Sequence, residues 1–122
     1  MVVTDTLKNV GIKALTQTYN LGFSDYKVPL TMSEERLKNI LARNAYRPDC
    51  SVGLFDDNTL VGFVLNGVRK NYCYDCGTAI IPSYRGKGYA RLLLEKTLDL
   101  LQTQDIAEWT LEVLTDNTKA IN

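Results

Sequence analysis

Apolar residues recur along this chain with two periods, and the change from one to the other divides it into segments. From about residue 7 to residue 22, Leu7, Val10, Ala14, Leu15 and Tyr19 follow helical spacing. Residues 23–30 break that rhythm, and Lys27-Val28-Pro29 places a proline that pushes its predecessor out of helical geometry. Thr31-Met32-Ser33-Glu34 announces a second helix; either hydroxyl is a candidate cap, and Thr31 with Glu34 has capping-box spacing. Its apolar stripe is Leu37, Ile40 and Leu41, extended by Ala45, and Pro48 closes the region.

The pattern then turns to alternation. Residues 51–55 and 59–69 read as strands around Asp56-Asp57-Asn58, residue types suited to a hairpin loop. In the second run Val61, Phe63 and Leu65 alternate with Gly62, Val64 and Asn66, as a strand with a covered face should. Residues 71–81 read as a third strand, ended by Pro82. The strongest helical signal spans about 88–104. Ala90, Leu93, Leu94, Leu98 and Leu101 form its apolar stripe, with Arg91, Glu95, Lys96, Asp99 and Gln102 outside it. Residues 108–114 read as the last strand, while residues 1–6 leave little room for a full strand at the start. The order predicts two helices, an antiparallel meander, a crossover helix and a strand parallel to the third. That is an α+β fold with a mixed sheet.

With 122 residues the chain has material for one domain and one core. Its residues are 45% hydrophobic and 23% charged, an ordinary globular balance. Lys+Arg and Asp+Glu number 14 each, so neither nucleic acid nor an anionic membrane is expected as a partner held through bulk positive charge. No apolar run nears the ~20 residues that span a bilayer, and residues 1–9 lack a signal-peptide core, so a cytoplasmic location is expected. The absence of histidine excludes Ser-His-Asp and Cys-His catalysis and His-containing metal sites.

Cys50, Cys73 and Cys76 are odd in number, which argues against a disulfide scaffold. Cys73-Tyr74-Asp75-Cys76 spells Cys-x-x-Cys, but a zinc site wants four ligands. On a strand, residues i and i+3 also point to opposite faces. A redox pair would sit at a helix N-terminus instead. The cysteines are expected to be structural thiols, with no metal.

The informative stretch is Ile80-Ile81-Pro82-Ser83-Tyr84-Arg85-Gly86-Lys87-Gly88-Tyr89-Ala90, where a strand ends, a tight basic loop follows and a long helix begins. Glycines let the backbone turn and aim several N–H groups at one point. A helix start leaves such donors unpaired and favours an anion, phosphate above all. Arg85, Lys87 and Arg91 add positive charge there. The competing reading is a strand-to-helix turn that uses glycine for geometry alone. A Walker A loop fails because Gly88, not Ser or Thr, follows Lys87; a dinucleotide fingerprint fails because Arg91 stands where its third glycine belongs.

What remains is Arg-x-x-Gly-x-Ala, from Arg85 through Gly88 to Ala90, preceded by Pro-x-Tyr. This resembles motif A of the GNAT superfamily of N-acetyltransferases, Gln/Arg-x-x-Gly-x-Gly/Ala at the start of the helix after the fourth strand. The element order matches over residues 7–117. Leu111-Glu112-Val113 and Asn117-x-x-Ala120 are similar to the family's last motif-A strand and the opening of its motif B. The resemblance implies the GNAT acyl-CoA N-acyltransferase fold, a mixed central sheet flanked by helices, with acetyl-CoA or another acyl-CoA as donor. It implies a pyrophosphate on the loop amides of Arg85, Gly86, Lys87, Gly88, Tyr89 and Ala90. It further implies a pantetheine arm along the strand backbone near Ile80 and Ile81, with Asn117 contacting that arm. In the family the fourth strand splays from the fifth, leaving a gap for the thioester, and a strand N–H there can stabilise an oxyanion.

Asp75 and Glu112 are the candidate catalytic carboxylates, because a protonated amine must lose a proton before it attacks. Each also reads as a solvated strand residue or a structural hydrogen-bond partner. Tyr74 lies near the position where some relatives carry a catalytic carboxylate, and Trp109 and Tyr89 read as packing residues. The chain stops at Ala120-Ile121-Asn122, before the family's final helix and two strands. The expectation is a single, incomplete domain over residues 1–122. Alone it should be weakly active, inactive, or self-associated as a homodimer through an open sheet edge. The acceptor expected is a small-molecule or peptide amine, selected around residues 23–30. A non-catalytic acyl-CoA-binding module for sensing or assembly is the alternative, and a generic phosphate-binding domain a third.

Overall fold

The alternating segments pair into one sheet in a computed structural model that describes residues 1–24, 31–104 and 106–110. Strands β1 (Val2–Thr6), β2 (Val52–Asp56), β3 (Thr59–Arg69), β4 (Tyr72–Ile80) and β5 (Glu108–Thr110) lie in the order β1-β2-β3-β4-β5. Neighbours from β1 to β4 are antiparallel, and β5 runs parallel to β4. Helices α1 (Ile12–Gly22) and α2 (Glu34–Arg43) pack on one face through Leu15, Leu37 and Leu41, which meet Phe63, Leu65 and Ala79. Helix α3 (Tyr89–Gln102) packs on the other, where Leu93 meets Val52, Leu54, Val61 and Val64. Covered on both sides, β3 is buried from Leu60 to Gly67. Each fully buried Phe, Leu or Val there contributes about 1.5–3 kcal/mol.

Several boundaries differ from the sequence reading. Residues 2–6 do form a strand, because β2 supplies a partner from Val2↔Asp56 to Thr6↔Val52. That pairing shortens α1, which begins at Ile12 after Gly11. Leu7, read as helical, ends the strand region fully buried, its N–H donating to Ser51 O at 3.1 Å. Ser33 rather than Thr31 caps α2, its hydroxyl accepting from Arg36 N at 3.1 Å. The same helix ends at Arg43, and Ala45 turns to φ 54 beyond it.

Two bulges shift the faces. Leu54↔Gly62 is followed by Phe55↔Leu60, which leaves Val61 unopposed. Val61 therefore faces α3 with Val64, instead of sharing a face with Phe63 and Leu65. In β4, Leu65↔Gly77 is followed by Asn66↔Asp75, so Cys76 is the extra residue. Cys73 and Cys76 do point to opposite faces: Cys73 packs with Cys50 and Leu101, and Cys76 against the α1–α2 side. On α3 the buried line is Leu93, Thr97 and Leu101, while Leu98 is 50% exposed. Thr97 is accepted there because its hydroxyl donates to Leu93 O at 2.7 Å.

Candidate functional site

The site is built where β4 hands over to α3. Ile81 N–H donates to Val61 O at 2.9 Å, so that peptide belongs to β3. Backbone groups alternate sides along an antiparallel strand, so Ile80 presents its own N–H and C=O toward the opposite, β5 side. On that side the described pairs of β4 with β5 are Tyr72↔Glu108, Cys73↔Trp109 and Tyr74↔Thr110. Ile80 O takes Arg85 Nε at 2.8 Å.

Pro82 starts a 3-10 turn through Tyr84, where the fixed proline φ suits the first position and no strand N–H is required. The Arg85 N–H closes this turn on Pro82 O at 3.2 Å, so it is not among the donors that face outward. The Arg85 side chain is also engaged: beyond Ile80 O, Nη2 donates to Gly22 O at 2.7 Å. Arg85 thus ties the last residue of α1 to the end of β4. Close approach of the two makes this bond reachable, since a Cβ on Gly22 would lie 2.8 Å from that of Ala79.

Gly86 and Gly88 both adopt left-handed backbone, at φ 74 and φ 81, where any L side chain is strained. Gly88 is the N-cap of α3, and no side chain caps the helix. The N–H groups of Tyr89, Ala90 and Arg91 therefore have no acceptor within the helix, and among the described residues none is supplied elsewhere. A Cβ built at either glycine meets nothing within 4 Å. The positive φ at both positions is also what a strand-to-helix turn that uses glycine for geometry alone requires. Uncapped amides at the positive end of a helix favour an anion.

Lys87 is exposed on this loop, with Nζ 5.7 Å from the centre of the Tyr84 ring. Arg91 pairs with Glu95, Nε to Oε1 at 3.2 Å, both largely in solvent. The Tyr84 hydroxyl donates to Asp56 on the β2–β3 hairpin. That bond holds the Asp56 carboxyl below the usual carboxylate range and pushes the Tyr84 phenol up. Asp56, read from the sequence as part of a hairpin loop, ends β2, and Tyr84, read in the Pro-x-Tyr before the motif, bonds to it; nothing local in the sequence links residues so far apart.

Asp75 sits at the β4 bulge with both oxygens engaged on its own strand: Oδ1 accepts from Gly77 N and Oδ2 from Thr78 Oγ1, each at 2.8 Å. Tyr74 lies on the α2 side, its hydroxyl donating to Asn44 O and accepting from Arg69 Nε at 3.1 Å. Trp109 packs inward, and its Nε1 donates to the buried Asn66 at 3.2 Å. Glu112 and Asn117 lie outside the described residues. Away from the loop, a depression of about 300 Å³ between α1 and α2 is lined by Val10, Leu15, Leu41 and Tyr46. Among the described residues no cluster of His, Cys, Asp and Glu is arranged to hold a metal ion. No helix among them is long and apolar enough to cross a membrane.

A mixed five-stranded sheet with helices on both faces and an uncapped helix start after its fourth strand defines an α+β architecture. The sequence model described as the acetyltransferase (GNAT) family matches residues 13–122, and the chain belongs to that family. Among solved structures it is similar to the ribosomal-protein-S18-alanine N-acetyltransferase of Escherichia coli, at 22% identity and TM-score 0.75 over 99% of this chain and 72% of that one. A GNAT family acetyltransferase from Brucella melitensis in complex with acetyl-CoA matches at 14% identity and TM-score 0.74, over 98% and 80%. An aminoglycoside acetyltransferase from an uncultured soil metagenomic sample, in complex with sisomicin, matches at 14% and 0.71, over 99% and 82%. These likenesses establish the shared fold. Among curated protein sequences no match was found.

Proposed function

We propose that this chain is an acetyl-CoA-dependent N-acetyltransferase that acts on a primary amine. The observation that carries the reading is the pair of left-handed glycines before an uncapped helix, with open space where their side chains would stand. A diphosphate is the part of acetyl-CoA that fits such a seat, and the family's membership makes that coenzyme the donor. Bound acetyl-CoA supplies an activated acyl thioester. The N–H groups from Gly86 to Ala90 hold its diphosphate, without the Arg85 N–H, which the preceding turn consumes. The N–H of Ile80, which points away from β3, offers the extended arm a strand to lie against.

The reaction transfers the acetyl carbonyl carbon from sulfur to nitrogen. The amine lone pair forms the C–N bond, the C–S bond breaks, one amine proton leaves, and the thiolate takes up a proton. Holding both reactants in one cleft contributes most, because a thioester needs no further activation toward a neutral amine. Asp75 serves this site through the bulge: its carboxylate, accepting from Gly77 N and Thr78 Oγ1, fixes the strand that lines the thioester. Glu112 and Asn117 are proposed as a proton acceptor and an arm contact on the strength of the sequence resemblance alone. The amine class is open to both acceptor types named for the structural relatives, a protein alanine and an aminoglycoside.

The test is release of free CoA from acetyl-CoA by the chain, followed with a thiol reagent in the presence of a panel of polyamines, aminoglycosides, amino acids and peptides. Thiol release dependent on one amine class is expected. Tight CoA binding with no turnover on any amine would assign the chain to non-catalytic acyl-CoA binding. Equal competition by ATP or inorganic phosphate would reduce the loop to a generic phosphate site.

A further inference from the structure

The turn ahead of the phosphate loop carries a linkage that the coenzyme reading leaves unused. Tyr84 ends the 3-10 turn, and its hydroxyl donates to Asp56 Oδ2, 28 positions away in the chain. Asp56 is the last residue of β2, held in register with Val2 on one side and Thr59 on the other, so it is a fixed point of the sheet. Its other oxygen faces the Met1 amino group at 3.4 Å. The Tyr84 ring is half-buried against the α3-side core, with the Tyr89 ring 6.3 Å away between centroids. Over the Tyr84 ring stands the ammonium of Lys87, 5.7 Å from its centre. Lysine is a long flexible stem between two glycines here, and its ammonium meets the ring and the field of the Asp56 carboxylate.

We infer that Asp56 and Tyr84 are positioning residues that anchor the loop to the sheet and hold the Lys87 ammonium where it meets the diphosphate of the acyl donor. The inference rests on the reading of the Gly86–Ala90 amides as the diphosphate seat. An O–H···carboxylate bond is charge-assisted and about twice as strong as a neutral one, which suits it to fix a turn against a strand. Removing it frees the ring to tilt and the ammonium with it, while the amides themselves stay in place.

Tyr84→Phe tests this on the full chain, because it keeps the ring and deletes only the hydroxyl. Affinities for CoA and for pantetheine, which lacks the diphosphate, are measured by calorimetry or competition. Tyr84→Phe should weaken CoA about three- to tenfold, the scale of one hydrogen bond to a charged group partly lost. Pantetheine should be unaffected. In a Lys87→Ala background the same substitution should change CoA affinity by less than about twofold, since the two act on one interaction. Asp56→Asn, which retains an acceptor oxygen, should fall between wild type and Tyr84→Phe. Equal weakening of CoA and pantetheine, full additivity with Lys87→Ala, or unchanged CoA affinity would each overturn the inference. A wild-type chain that binds CoA no better than pantetheine would instead remove the diphosphate seat itself, and the inference with it.

Discussion

Replacing Gly88 by valine separates the fold from the anion seat more cleanly than any other single change. Gly88 sits at φ 81 and ψ 7, and a Cβ there meets no heavy atom within 4 Å. The folded chain therefore loses only backbone comfort. Left-handed geometry costs an L residue about 1–2 kcal/mol, with β-branched valine at the upper end. Against a domain stability of about 5–15 kcal/mol, the variant stays folded with its melting temperature lowered by a few degrees. Binding should suffer more on the proposed reading, in which the diphosphate approaches the Gly86–Ala90 backbone and a side chain at position 88 competes for that space. Each hydrogen bond to a charged oxygen is worth about 1.5–3 kcal/mol, so losing two lowers CoA affinity by roughly 10²- to 10⁴-fold. Circular dichroism checks the fold and calorimetry with CoA reads the affinity. Gly88→Ala, with less strain and fewer atoms, should fall between wild type and Gly88→Val. A folded Gly88→Val chain that binds CoA within about threefold of wild type would refute the reasoning.

Three further outcomes are expected. Arg85→Ala should cost about 1–2 kcal/mol in urea denaturation, because it unties Gly22 O and Ile80 O; an unchanged midpoint would show the tie to be idle. Asp75→Asn should lower the melting temperature and shift the amine-transfer rate less than about tenfold with an unchanged pH profile, as a bulge anchor would; a loss of about 10² or more at unchanged stability would make Asp75 the general base instead. Alkali should destabilise the fold, since burial pushes Tyr46 and Cys73 up to about 12 and Cys76 up to about 11. These groups stay neutral in the native state while the unfolded chain ionises at the ordinary values of 9.0 for Cys and 10.0 for Tyr, so their stabilisation is complete below pH 9 and is lost as pH rises toward 12. Urea midpoints under reducing conditions that stay level from about pH 8 to about pH 11 would contradict this.

The elements whose order defines the family were legible because each carries its own signal within a few residues. Leu37 and Leu41 mark α2, Leu93 and Leu101 mark α3, and both pairs are buried as the spacing requires. The proposed anion seat is legible for the same reason: glycines, a cation and a helix start are neighbours in sequence, and a helix start without a side-chain cap leaves amides bare. Local periodicity fails where two strands must share one ladder. The bulges at Val61 and Cys76 exist only in the pairing, and they moved Val61 to the face opposite Phe63. Residues 2–6 became a strand because β2, some fifty positions away in sequence, offered its edge.

The sequence by itself determined the class of fold and the place of the loop, since both rest on short-range chemistry. Only the tertiary structure decided what each loop residue does. It turned Arg85 inward to α1 and β4, took its N–H for a turn, and bound Tyr84 to Asp56 across the sheet. Those contacts join residues far apart in the chain, and a hydrogen bond carries no trace in sequence until folding brings donor and acceptor within about 3 Å.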